Sequence, residues 1–376
     1  MKFYIKSDEL KKALSKVIDI TPKRETLTIL DNLYLELKDD SNFLFITAID
    51  SEKNFIKISL PVSKVETGNI FIPARKLFKI MKNIPLTTLG FSVDDKLKIT
   101  LETQDGGIYE SRGNLDYDPP LEPSVTTYYS YHMLASRFKG IINRCSYAVG
   151  TDELRKPMTG ILFHIKGSEL IFVATDGNRM VRIVREGIGD VPDEFSEEYI
   201  VPNKLLSILS KFIEDDIRIR FSNENEYVKF LFDDGAMYAR LIDEKYPNYT
   251  AVIPTDYTKK FTINRETLLS NVKGLMTYSD YTMLFLLSKN QLAISAKDDE
   301  MNSEAKRLLL CEYDYDDIEF GFNPKYLVDT LSNLKSKNII VEFDQPEGVF
   351  LFKETEIEKD IEVLMLLAPL RLSCIR

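Results

Sequence analysis

A chain of 376 residues is long enough for two or three domains of ordinary size. With 44% hydrophobic and 29% charged residues, and only 16 Gly and 15 Pro, it is neither disordered nor collagenous. The formal charge of −10 argues against a protein that coats nucleic acid by bulk electrostatics, though a net value ignores where the charge sits.

The chain opens with a strand at Lys2-Phe3-Tyr4-Ile5, followed by a helix over 8–18 whose Leu10, Leu14 and Val17 share one face. Residues 33–46 read as a hairpin turning at Asp39-Asp40-Ser41-Asn42 and running out at Thr47-Ala48-Ile49-Asp50. Ile72-Pro73 opens an amphipathic helix over 73–84; proline fits there because a first-turn N–H has no intrahelical partner to lose. Alternation over 96–101 marks another strand, and the prolines at 119, 120 and 123 mark a break. A helix over 131–147 is next, then a hairpin over 161–173 around Lys166-Gly167-Ser168 that ends at Val173-Ala174-Thr175-Asp176. Val201-Pro202 opens a helix over 202–212, and Ile253-Pro254-Thr255-Asp256 is a second break. The last third has a helix over 264–278 behind the N-cap Asn264, and a hairpin over 284–294 around Ser288-Lys289-Asn290. That hairpin ends at Ser295-Ala296-Lys297-Asp298, and a helix over 323–337 opens at Asn323-Pro324.

These elements recur in the same order three times. Lys76, Lys204 and Lys325, near the starts of the Pro-initiated helices, are spaced by 128 and 121; Asp50, Asp176 and Asp298 are spaced by 126 and 122. The pattern predicts three tandem α+β domains, 1–123, 124–253 and 254–376, each with two helices and small antiparallel sheets.

Charge is segregated. The six predicted helices hold 17 Lys or Arg against 5 Asp or Glu, a surplus of 12 over 84 residues, while the other 292 residues carry −22. Helix propensity alone favours lysine, but it favours glutamate equally, and three of the helices have no acid. A cationic helix surface on an otherwise acidic protein points to phosphate contact rather than base reading.

Enzymatic signatures are missing. There is no HExxH, P-loop, strand-borne GxGxxG or GxSxG, and of the two histidines His164 lies mid-strand, as a structural histidine would. The acid clusters 214–216 and 314–317 read as solvated loops, and the Ala-x-Asp sites as turn caps rather than catalytic carboxylates. Cys145, Cys311 and Cys374 are odd in number and far apart with no CxxC. That excludes a disulfide framework or thiolate zinc site and fits a reducing cytoplasm. No segment has signal-peptide or membrane-span character, so a cytoplasmic chain with no membrane partner and no cofactor is expected.

Four stretches carry a family resemblance: Ala174-Thr175-Asp176-Gly177-Asn178-Arg179-Met180, Leu241-Ile242-Asp243-Glu244-Lys245-Tyr246-Pro247-Asn248-Tyr249, Gly321-Phe322-Asn323-Pro324-Lys325-Tyr326-Leu327 and Leu366-Leu367-Ala368-Pro369-Leu370-Arg371-Leu372. With Met1-Lys2-Phe3 and residues 26–33, they resemble the bacterial DNA polymerase III β subunit, the sliding-clamp family, in order and over the full length. The resemblance implies a DNA-clamp fold whose chains pair head to tail into a two-membered ring, helices lining the hole. It implies a non-catalytic processivity factor for double-stranded DNA, held by topology and indifferent to sequence. Implied partners are a second copy of the chain, the polymerase III α subunit, the clamp loader and other proteins bearing a clamp-binding motif.

Carried over by position, the implied DNA contacts are Arg24, Arg75, Lys76 and Lys204, with Lys82 added from the charge pattern. The implied peptide groove is Met158, Thr175, Gly177, Asn178, Arg179, Met180, Pro247 and Val252, joined by Leu366, Leu367, Ala368, Pro369, Leu370 and Arg371 of the tail. The implied subunit contact joins Ile108 and Tyr109 to Leu275 and Met276. The chain departs from the family at Asn178, where histidine is common, at Ala251, where arginine is, and at Asn203, where a basic residue is. It also has a smaller Ala368 and four extra residues, 373–376, so an altered peptide preference is expected. Two alternatives stay open at this point: a diverged paralogue serving another partner, and a DNA-modifying enzyme on a three-repeat scaffold.

Overall fold

The structure is a computed structural model that describes every residue except 23–28, 126, 187–191, 193, 223–225, 255, 280, 299, 357–359 and 372–376. The first repeat runs β1 (Lys2–Lys6), α1 (Ser7–Val17), β2 (Asn32–Leu37), β3 (Phe43–Ile49), β4 (Phe55–Pro61), β5 (Ser63–Glu66), β6 (Gly68–Pro73), α2 (Ala74–Asn83), β7 (Thr88–Val93), β8 (Lys98–Thr103) and β9 (Ile108–Arg112). The second runs β10 (Thr127–Leu134), α3 (Ala135–Ser146), β11 (Gly160–Lys166), β12 (Glu169–Thr175), β13 (Arg179–Arg185), β14 (Ser196–Pro202), α4 (Asn203–Phe212), β15 (Asp216–Ser222), β16 (Tyr227–Phe232) and β17 (Gly235–Arg240). The third runs β18 (Lys259–Asn264), α5 (Arg265–Leu275), β19 (Met283–Ser288), β20 (Gln291–Asp298), β21 (Ser303–Leu310), β22 (Ile318–Phe322), α6 (Pro324–Asn333), β23 (Asn338–Phe343), β24 (Phe350–Glu354) and β25 (Ile361–Leu367).

The local chemistry follows the sequence closely. Asn264 caps α5 by accepting from the Thr267 N–H at 2.9 Å, and Asn323 caps α6 by accepting from the Lys325 N–H at 2.9 Å. The three repeated aspartates are turn caps: Asp50 accepts from the amides of Glu52 and Asn54, Asp176 from Asn178 and Arg179, Asp298 from Glu300 and Met301. Asn290, at φ 57°, makes the β19–β20 turn. Two boundaries shift. Residues 131–134, expected to open a helix, end strand β10, because pairing with residues 216–219 of β15 overrides their helical spacing. The last helix stops at Asn333, leaving Lys335 and Lys337 outside it.

In each repeat the first strand and the last three form one layer, joined in the first repeat by β5, and the other four strands between the helices form another. All the strand pairings are antiparallel, and the layers fuse across repeats. β17 pairs with β4, giving an eight-stranded sheet β10-β15-β16-β17-β4-β3-β2-β6; β13 pairs with β25, giving β14-β11-β12-β13-β25-β24-β23-β18. The remaining layers stand as β5-β1-β7-β8-β9 and β21-β20-β19-β22. Small separate sheets are thus the units of the repeat but not of the folded chain.

Two compact units result, residues 1–139 with 204–241, and residues 140–203 with 242–376. In the first, Leu10, Ala13, Leu14 and Val17 of α1 are buried, and Phe3 stacks on Phe91 at 4.6 Å. In the second, Phe343 and Phe350 stack at 4.7 Å within a cluster that includes Phe320 and Phe322. Each such side chain contributes about 1.5–3 kcal/mol by leaving water.

Candidate functional site

The second unit holds a small apolar groove of about 170 Å³. Its floor is Met180 of β13 and Leu366 of β25, direct cross-strand partners, with Ala368 just past the strand end. One wall is the turn Thr175–Asn178, where Gly177 sits at φ 92°, a left-handed conformation that a side chain would strain. Thr175 Oγ1 donates to the Arg179 carbonyl at 2.7 Å and accepts from the Gly177 N–H at 3.1 Å, while the Ala368 N–H donates to the Asn178 carbonyl at 2.8 Å. The opposite wall is the 3-10 turn Tyr249–Val252 with Pro247 and Asn248 before it, and Met158 and Val349 complete the lining.

The Tyr249 wall is braced from behind. His164 Nδ1 lies 2.8 Å from the Tyr249 hydroxyl, and its Nε2 lies 2.9 Å from Ser196 Oγ. Burial holds the imidazole below its usual range, against the opposing pull of Glu198, and burial raises the Tyr249 hydroxyl. Both groups are neutral near pH 7 and act as structure.

Arg179 is shared between the groove and an adjoining polar cavity of about 240 Å³ that includes Asp152, Arg155 and Tyr326. Its Nε donates to Asp176 at 2.9 Å and its Nη1 to Asp329 at 2.6 Å, and the guanidinium lies over the rings of Tyr326 and Tyr147 at 4.7 and 5.1 Å. An apolar pocket joined to a polar one suits an extended peptide with an apolar anchor and a hydrogen-bonding neighbour.

Of the expected groove residues, Met158, Thr175, Gly177, Asn178, Arg179, Met180, Pro247, Val252, Leu366 and Ala368 line this pocket. The other four do not. Leu367 alternates onto the opposite face and is fully buried, Pro369 and Leu370 are half-buried beyond the lining, with the Leu370 N–H donating to the Gly321 carbonyl, and Arg371 is exposed. Asn248, Tyr249 and Val349 were missed. The first two lie in the family motif over 241–249, whereas Val349 carries no sequence signal.

The expected phosphate ligands fall in the first unit. On α2, Lys76 and Lys82 are exposed, and with Lys79 they form a stripe at three-residue spacing; none has an acid partner among the described residues. Lys82 lies over the Phe78 ring at 4.7 Å. Lys204 on α4 is likewise exposed without an acid partner among the described residues. Arg75 is different. Its guanidinium donates to the carbonyls of Ile18, Thr21 and Pro22 at 3.0–3.2 Å, closing the C-terminal end of α1. Arg24 lies outside the described residues. Three other helix cations are matched: Lys12 with Glu214, Lys16 with Asp234 and Lys211 with Asp19.

Of the residues expected at a subunit contact, Ile108 and Tyr109 lie on β9, an open strand edge. Leu275 is buried in its own unit and Met276 is the half-buried C-cap of α5. The open edge of the third repeat is instead β21, whose Leu308 and Leu310 are 61% and 81% exposed. Among the described residues, no group of three or more metal-ligating side chains occurs and no helix is long and apolar enough to cross a membrane.

Comparison with known proteins decides the family. Three successive profiles match: the DNA polymerase III beta subunit N-terminal domain over residues 1–110, its central domain over 133–248 and its C-terminal domain over 250–368. The chain belongs to the DNA polymerase III beta-subunit family. Curated relatives are the beta sliding clamps of Bacillus subtilis, 25% identical over 97% of this chain and 99% of that one, and of Vibrio cholerae, 28% identical over 99% and 100%. A sliding clamp from Pseudomonas aeruginosa solved with griselimycin superposes with a TM-score of 0.90 at 24% identity, covering 99% of both chains. One from Bacillus subtilis gives 0.90 at 23%, again covering 99% of both. The clamp is therefore a non-catalytic processivity factor, a DNA-encircling, polymerase-tethering subunit, and a DNA-modifying activity is set aside.

Proposed function

We propose that the clamp is a cytoplasmic ring of two copies whose three domains per chain span 1–123, 124–253 and 254–376, and whose apolar groove takes short peptide motifs from the polymerase III α subunit, the clamp loader and other partners. The observation that carries the peptide reading is the groove itself: ten residues expected from the family motif line one pocket with an apolar floor and a polar neighbour. A few buried anchors dominate such contacts.

Ring closure is supported by the recurring junctions. β4 takes the last strand of the second repeat, and β13 takes the last strand of the third. β21 is the equivalent strand of the third repeat and β9 the last strand of the first, and each is an edge of its sheet among the described residues. The same pairing between β21 of one copy and β9 of another satisfies both edges. Duplex DNA is then met by Lys76, Lys79, Lys82 and Lys204 through phosphates alone.

The test is retention on nicked circular DNA loaded by an active clamp-loader preparation and washed in high salt, followed by a single cut. Protein that leaves only on linearisation is held by topology. Protein that washes off circles and linear DNA alike refutes the ring.

A further inference from the structure

A second cavity of the second unit, about 580 Å³, lies beside the groove. A single cross-strand row connects them. Met180 pairs with Leu366, Leu366 with Leu351, Leu351 with Glu342, and Glu342 with Lys260. Directly opposed residues share one face of a sheet, so this row is one continuous surface. Met180 and Leu366 floor the groove; Leu351, Glu342 and Lys260 line the second cavity. The wall is continuous too, since Val252 lines the groove and the next residue, Ile253, lines the cavity. Ile253, Tyr257 and Val349 all pack on the buried cluster that includes Leu351, Leu364 and Leu366.

The surface changes from apolar to charged along this row, and its charges are unevenly matched. Lys353 is tied to Glu342 at 2.6 Å, and Glu362 to Arg182 at 3.4 Å. Asp256 stands exposed at the rim. Lys259 donates to the Asp344 carbonyl at 3.1 Å, and Lys260 is exposed with no acid partner among the described residues. The unmatched charge is therefore cationic.

We infer that this cavity is an extension of the groove that reads charge, with Lys260 and Lys259 receiving an acidic side chain of a partner peptide whose apolar anchor sits on Met180 and Leu366. From Leu366 to Lys260 is three strand spacings, roughly 14 Å. An extended peptide covers that in about four residues. The inference rests on the groove being a peptide site.

The test uses the full chain and synthetic peptides with a Leu-Phe anchor and a single Glu or Lys three, four or five residues away on either side, read by fluorescence anisotropy at 50 mM salt. On one side of the anchor, Glu about four residues away binds roughly two- to fivefold tighter than Lys, the range of an exposed ion pair. The difference closes at 0.5 M salt. Lys260→Glu reverses the preference and leaves the anchor-only peptide unchanged. Equal binding of Glu and Lys peptides at every position, while the anchor-only peptide binds, overturns the extension. So does a preference for Glu that survives Lys260→Glu. Failure of the anchor-only peptide to bind removes the groove reading, and the extension with it.

Discussion

Arg179 and Asp329 meet at 2.6 Å, joining a strand of the second repeat to a helix of the third at the edge of the groove. Asp176 takes the same guanidinium from the other side at 2.9 Å, and the arginine side chain is 11% exposed. A lysine is a point donor and cannot hold both carboxylates and two rings. Arg179→Lys is expected to destabilise the second unit by about 1–2 kcal/mol and to weaken anchor-peptide binding at least tenfold. Asp329→Asn is expected to do less, because that carboxylate is 46% exposed. Urea unfolding and anisotropy on the same variants check both.

His164 makes stability depend on pH in a defined direction. Its folded-state pKa lies below the usual value of 6.5, because burial penalises the charged ring. Between the folded and unfolded values the unfolded chain binds the extra proton. The contribution is therefore fully present above about pH 6.5 and is lost as pH falls through the folded value. The fall in urea midpoint between pH 7.5 and 5.5 should be smaller in His164→Gln than in the parent. An unchanged slope would show that the ring's burial has no part in it.

The threefold repeat was readable from the recurrence of its motifs, and the N-cap Asn264 and the three aspartate turn caps because each is set by contacts a few residues apart. Fusion of the layers was not. Whether β13 pairs with β25 or stays an edge depends on residues about 180 positions apart, and no local pattern encodes that. The groove was legible where a motif crossed it and illegible at Val349, an isolated apolar residue. Arg75 shows the opposite failure: its place on a cationic helix suggested phosphate, yet three carbonyls of the neighbouring helix end claim its donors.

Arg144 and Glu354 form an enclosed ion pair in the second unit, 2.8 Å apart with side chains 8% and 9% exposed. Removing one partner strands the other charge away from water. Glu354→Gln is expected to cost about 3–5 kcal/mol. Replacing both, Arg144→Met with Glu354→Leu, should cost less than either single change, which a double-mutant cycle in urea measures directly.

Leu308 and Leu310 expose an apolar strand edge of a kind that soluble proteins usually cover. Leu308→Asp on β21 is expected to shift the chain from dimer to monomer in sedimentation velocity without lowering its urea midpoint as a monomer. Ile108→Asp on β9, 63% exposed, should do the same. If neither alters the sedimentation coefficient, the two edges do not meet.

The lysines of α2 should separate from Arg75 in salt dependence. Each phosphate neutralised on duplex DNA adds about 0.9 to the slope of log affinity against log salt. Replacing Lys76, Lys79 and Lys82 with alanine should therefore lower that slope by up to about 3 for linear duplex, with the fold intact, because all three are exposed and unpaired among the described residues. Clamp loaded on circular DNA should stay loaded, since topology rather than contact holds it, and should slide faster. Arg75→Ala should behave in the opposite way: the slope stays constant while the urea midpoint falls, because the carbonyls ending α1 lose their donor. A lowered slope in Arg75→Ala would mean that the guanidinium turns from those carbonyls to phosphate when DNA is present.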